Sequence, residues 1–202
     1  FLTTVMMLLP SLIIMMTSFT RYVVVFSFLR NAMGVQQTPP NMVLVGMALM
    51  LTLFTMTPTL DAVKAEAYDP YTAGEITQEE FFDQAQVPLK RFMLDNSEIA
   101  SMELYCDMAG VAVPENMEVS VDLPMRVVLP AFVTSELKAA FEIGFLLYIP
   151  FLLIDVIVSC TLMSMGMVML PPSMISTPFK ILLFVMLDGW HLLFSTLIRT
   201  VN

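Results

Sequence analysis

Cysteine, histidine and tryptophan are nearly missing from this 202-residue chain, with two, one and one copies. Cys106 and Cys160 lie in unlike surroundings, one polar and one apolar, and give neither a disulfide framework nor a zinc-ligand spacing. The lone His191 has no partner motif, so no metal site and no cofactor is expected. Basic residues are also scarce, nine Lys and Arg against eighteen Asp and Glu, for a formal charge of -9. A chain this acidic lacks the electrostatic footprint of a nucleic-acid binder. Charged residues of both signs make up only 13% of the sequence, while hydrophobic residues make up 57%. That balance excludes an ordinary soluble domain. It points to a polytopic membrane protein, or to one whose apolar helices are covered by partners.

The charge that is present is concentrated. Between Asp61 and Asp122 acids far outnumber the only bases there, Lys64, Lys90 and Arg91. On either side the chain is nearly uncharged and apolar. Phe1 to Thr20 carries no charge and is long enough, as a helix, to span about 30 Å. Arg21 and Arg30 bracket a second short apolar stretch. A charge at the bilayer centre costs at least about 2.5–3.5 kcal/mol, so Arg21 either snorkels to an interface or is buried against a partner chain. Asn31 to Asn41, with Gly34 and the Pro39-Pro40 pair, is a turn. By the positive-inside preference the two arginines place that turn on the cytoplasmic side and send the acidic region to the periplasmic side.

Inside the acidic region, Thr77 and Glu80 have the spacing of a capping box ahead of Phe81 and Phe82, so a helix is expected to start there and to break at Pro88. Ile99, Met102, Cys106 and Ala109 fall on one face of a short helix ending near Gly110. The acids are then most simply a solvated face. Pro124 to Phe145 is richer in polar groups than the apolar run Gly144 to Met165 that follows. Ala140 and Gly144 form a small-xxx-small pair that permits close helix approach. Ser135 and Lys138 match an S-x-x-K pattern, but neither S-D-N nor K-T-G accompanies it. With no nucleophile–base set elsewhere, the chain is read as non-enzymatic. Asp155 lies within the third apolar run and Asp188 within the fourth, Phe179 to Ile198. Each is either a proton-relay group or a structural contact to another helix or subunit.

The densest feature runs from Cys160 to Pro178. Met163, Met165, Met167 and Met169 alternate with small or apolar residues until Pro171 and Pro172. An extended segment would turn all four methionines the same way, and a helix would split them between two sides. Gly166 and the proline pair predict a helix ending near Gly166 and an apolar loop after it. Such a loop is either core filler or an adaptable surface, since methionine is unbranched and soft. The fold expected is all-α and membrane-associated, apolar helical hairpins with a small acidic helical insertion. Its parts are residues 1–60 with the turn at 31–41, the insertion 61–125, and a hairpin 126–202 carrying the loop at about 163–172.

PAFVTSELKAAFEIGF (Pro130–Phe145) and PFKILLFVMLDGW (Pro178–Trp190) resemble the two signature segments of the FliP family of flagellar export proteins. MMTSFTRYVVVFSFLRNAMG (Met15–Gly34) with PPN (Pro39–Asn41) resembles that family's N-terminal region. The likeness covers nearly the whole chain except the insertion from about Thr72 to Asp122. Injectisome SctR-type proteins share most of these motifs, while MMTSFTR, the Pro171-Pro172 pair after the methionine stretch and PFK are closer to the flagellar pattern.

The resemblance implies an all-helical subunit of the bacterial inner membrane and flagellar basal body. It implies assembly in several copies with FliQ and FliR into an export gate, with FlhB and FlhA as neighbours and unfolded flagellar proteins as cargo. It also implies a cleaved leader, in keeping with a start at Phe1. The family's methionine-rich gating loop maps onto Met167 and Met169; Val168 stands where another methionine is usual, and Met165 adds one nearby. Arg21, Glu136, Lys138, Asp155, Lys180 and Asp188 are the candidate pore or subunit-interface residues. The competing class is a proton-coupled small-molecule transporter using Asp155 and Asp188, for which the sequence lacks an internal repeat.

Overall fold

Helix accounts for every regular element among the residues described by the computed structural model, 14–35, 37–113, 122–167 and 169–201. Most of the first apolar run, the 114–121 stretch of the insertion and Val168 lie outside those residues. In chain order the helices are α1 (Phe19–Ala32), α2 (Asn41–Val63), a π-helical turn (Lys64–Tyr68), α3 (Asp69–Thr72), α4 (Gln78–Asp95), α5 (Ile99–Ala109), α6 (Met125–Ser164), α7 (Pro172–Met186) and α8 (Gly189–Arg199). The all-α expectation holds. Two stretches, Asn41–Thr72 and Met125–Ser164, are long and apolar enough to cross a membrane, and the bent α7–α8 pair adds a third if it forms one span.

The chain divides into two compact units that are interleaved in sequence. One is built on Thr52–Lys138 and also takes in Ser18 and Val201; the other is built on Arg21–Leu51 and Ala139–Thr200. The two longest helices, α2 and α6, contribute residues to both.

In the first unit, α4 and α5 pack on the N-terminal part of α6. Phe92, Met93, Leu94, Met102, Cys106, Val127, Val128, Ala131 and Phe132 share one apolar core with Met56. Phe92 and Phe132 meet edge to face at 5.8 Å. The expected cap is present: Glu80 N–H donates to Thr77 Oγ1, and Thr77 N–H donates to the Glu80 carboxylate at 2.7 Å. The Thr77 backbone N–H and then its hydroxyl hold the Glu80 carboxyl below its ordinary range. Burial pushes the Cys106 thiol up. Gly110, at φ +64°, ends α5.

Pro88 does not break α4, contrary to the expectation from the sequence. The helix continues through it to Asp95. The ring is buried, and the burial of Phe92, Met93 and Leu94 one turn on requires that the helix continue; tertiary packing outweighs a local cost of about 3 kcal/mol.

In the second unit, α1 is the buried element. Tyr22, Val25, Phe26, Leu29 and Ala32 follow the i, i+3, i+4, i+7 pattern and are all within 1% of full burial. The small-xxx-small pair on α6 receives it: Ala140 is fully buried, and a Cβ on Gly144 would come within 2.6 Å of the Phe28 ring.

One expectation about the apolar runs is corrected here, that for Phe179–Ile198. Pro124–Phe145 and Gly144–Met165 share one helix of 40 residues, Met125–Ser164, which continues through Pro130 and Pro150. At 1.5 Å per residue it is about 60 Å long, twice the hydrocarbon thickness. The run Phe179–Ile198, by contrast, is two helices bent by 65°. Asp188 sits at the break, exposed, in the left-handed region at φ 49°, and not inside an apolar helix. Gly189 lets the Phe184 ring close on the bend, where a Cβ would stand 2.3 Å from the ring.

Candidate functional site

The methionine stretch is terminated and displayed by backbone chemistry. Helix α6 ends at Ser164, and Gly166 follows at φ +75°. Met167 N–H donates back to Leu162 O at 3.0 Å and Gly166 N–H to Met163 O at 3.0 Å, the paired bonds of a Schellman cap. Only a residue without Cβ takes that φ without strain, which is why the helix stops where the sequence reading placed its end. Pro171 is the N-cap of α7 and Pro172 its first residue, so α7 restarts directly after the loop. Between these ends the thioethers are open to solvent: Met163 is 67% exposed, Met165 63%, Met167 43% and Met169 97%. Met163 lies in the last turn of α6, so the four do not share one extended segment with period two.

The base of this hairpin is held by buried polar groups. Lys180 Nζ, on α7, is 2.5 Å from Asp155 Oδ2, on α6. The Ser176 hydroxyl donates to Asp155 Oδ1 at 2.6 Å, and Lys180 also donates to the Ala32 carbonyl at 3.0 Å. Ser176 is fully buried and Lys180 nearly so. A cation on a carbonyl at the C-terminus of α1 complements that helix dipole. Gly34, just beyond, admits α7 closely, since a Cβ there would stand 3.0 Å from Thr177 Oγ1. Three segments are therefore pinned by one ammonium.

The remaining candidates are placed as follows. Arg21 is 4% exposed and donates to the Thr200 carbonyl at the end of α8, so it is buried against its own chain and does not snorkel. Glu136 is fully buried on α6. Lys138 is exposed and pairs with Glu98 at 2.5 Å. Ser135 accepts the Glu98 N–H at 2.9 Å and donates to Ala131 O at 2.8 Å. The S-x-x-K pattern is thus a clip on the start of α5, whose own cap residue Glu98 makes no side-chain cap. Asp155 and Lys180 are brought together; Asp188 joins neither. Among the described residues no group of three or more His, Cys, Asp or Glu is arranged to hold a metal ion.

Sequence reasoning missed Ser176 and the Ala32 carbonyl. Ser176 carried a signal, being four residues before Lys180 and so on the same helix face. Ala32 carried none, because a backbone acceptor has no sequence signature.

The FliP family model matches residues 2–197. The chain belongs to the FliP family. The match runs through the acidic insertion, which the motif likeness did not cover. Among relatives named flagellar biosynthetic protein FliP, the one from Aquifex aeolicus (strain VF5) is 48% identical over 98% of this chain and 82% of its own length. The one from Bacillus subtilis (strain 168) is 46% identical over 98% of this chain and 89% of its own. The one from Buchnera aphidicola subsp. Acyrthosiphon pisum is 47% identical over 96%, and there the match spans half of the relative's length. The methionine loop, Asp155, Lys180 and both signature segments all fall inside the FliP family match.

Proposed function

We propose that this chain is a core subunit of a flagellar type III export gate, a non-enzymatic pore for unfolded flagellar proteins. It would assemble in several copies with FliQ and FliR in the inner membrane, next to FlhB and FlhA, with the acidic insertion on the periplasmic side. The observation that carries the reading is an exposed methionine cluster, at a hairpin tip braced by an ion pair whose lysine is buried, in a FliP family chain. One such loop per subunit makes a ring of soft apolar side chains that closes a pore by excluding water. Thioether contacts are non-directional, so the same ring reshapes around any passing sequence. Lys138 and Asp188, both exposed, are assigned to pore or subunit contacts, while Asp155 and Lys180 brace the loop.

The test is alanine at Met165, Met167 and Met169 together in the assembled complex. A gasket predicts that the complex forms but leaks small ions; an intact ion barrier overturns it. The equivalent SctR-type role in an injectisome is distinguished by complementation: motility should return to a flagellar mutant. The transporter reading fares worse, because Asp155 is occupied by Lys180 and Ser176.

A further inference from the structure

The second unit contains a cavity of about 170 Å³ at the α7–α8 bend. Helices that diverge by 65° cannot both lie along the same stretch of α6, so their side chains leave a space there. The floor of that space is made inside this chain. Leu29 of α1, Phe151 of α6 and Leu193 and Leu197 of α8 line it, and each is at most 4% exposed. Phe184 of α7 forms a wall, and the exposed Leu187 and Leu192 mark the opening. No charged side chain lines the cavity, and Thr196 brings its one hydroxyl.

Polarity and size fix what the cavity can hold. A buried water needs roughly two to four polar partners, and one hydroxyl does not supply them. The volume is close to the roughly 150 Å³ at which an engineered apolar cavity stays dry and binds benzene. We propose that the cavity at the α7–α8 bend is a binding site for a small uncharged hydrocarbon group. The group is about the size of benzene, or of about six carbons of an acyl chain. A free apolar molecule and the end of a lipid chain are two sources of that same chemistry. The occupant touches α6 and both arms of the bend at once, so it holds α7 and α8 at their angle and stabilises the bent state alone. The walls all belong to one compact unit of this chain, so the site stands apart from the gate reading.

Trp190, the chain's single tryptophan, reports on the site because its ring meets Phe184 edge to face at 5.2 Å. The full chain is held in amphipol with lipid removed and titrated with bromobenzene, whose bromine quenches indole fluorescence. A saturable loss of Trp190 emission is expected. The thermal midpoint should rise by about 3–5 °C at roughly ten times the half-saturating concentration. Thr196→Leu, which fills the space with methyl groups, should weaken binding about tenfold without lowering the midpoint of the free chain. Leu183→Ala, which widens the space, should gain more from bromobenzene than the parent does, even where the variant itself is less stable. Short-chain phosphatidylcholine discs then separate the two sources at equal free bromobenzene. Displacement of the probe assigns the site to a lipid chain end, and undiminished binding assigns it to a free apolar molecule. The assembled complex should show the same rise in midpoint. Quenching that only grows in proportion to added bromobenzene, saturable quenching unchanged in Thr196→Leu, or a midpoint rise lost on assembly would each overturn the proposal.

Discussion

Two ion pairs in this chain have the same 2.5 Å separation and nothing else in common. Lys138 and Glu98 keep 52% and 44% of their side chains exposed, whereas Lys180 keeps 5% and Asp155 35%. The first pair lies in water, where its attraction is screened and worth about 0.2–1 kcal/mol. The second has given up most of its hydration and recovers it through a set of partners, the Ser176 hydroxyl and the Ala32 carbonyl. Burial makes such a pair costly to break and useful for fixing geometry, though not necessarily stabilising overall. The clip at Glu98 only orients the start of a helix, while the anchor at Lys180 joins three segments at the base of the methionine hairpin.

The comparison breaks most visibly at Lys180. Lys180→Met strands Asp155 and the Ala32 carbonyl and is expected to cost about 3 kcal/mol, the low end for a buried pair because Asp155 is partly exposed. Thermal unfolding in detergent reads this directly; a loss no larger than that of Lys138→Met would erase the distinction between the two pairs. Next is Gly189→Ala, in the same unit, where the new Cβ meets the Phe184 ring at 2.3 Å. A loss of roughly 1–3 kcal/mol is expected, with Phe184→Leu in the same background restoring part of it.

At exposed positions of the first unit the effects shrink. Thr77→Ala removes the capping box, for about 1 kcal/mol. It also carries a pH signature. Because the folded state lowers the Glu80 pKa, the contribution of that carboxylate is present above its ordinary range and is lost as pH falls through the lowered value. The parent and the Thr77→Ala variant should therefore differ near neutrality and converge in acid, and parallel curves would show that Glu80 is uninvolved. Smallest is Lys138→Met, at about 0.5 kcal/mol or less and abolished by high salt.

How much was legible follows the same division. The capping box, the Gly110 stop, the Gly166 stop and the all-helical character rest on contacts within a few residues, and these were read correctly. Pro88 and the Phe179–Ile198 run misled, for opposite reasons. Packing of Phe92, Met93 and Leu94 carried a helix through a residue that breaks helices locally. The Phe184 ring against Gly189, with Asp188 in the left-handed region, accompanies a break in a run with unbroken apolar character. The methionine loop could be located from the sequence, whereas its anchor required Asp155 and Lys180 to meet across 25 positions.

Composition and local spacing by themselves determined the apolar helical class, the position of the acidic insertion, the helix stops and the place of the methionine loop. Each depends on periodicity or on backbone preferences that act over one or two turns. The tertiary structure alone decided that Arg21 caps its own C-terminal helix, that Ser135 and Lys138 clip Glu98, and that one lysine braces the hairpin through a carboxylate and a carbonyl. A polar group leaving water must find a partner, and the fold, not the neighbouring sequence, supplies it.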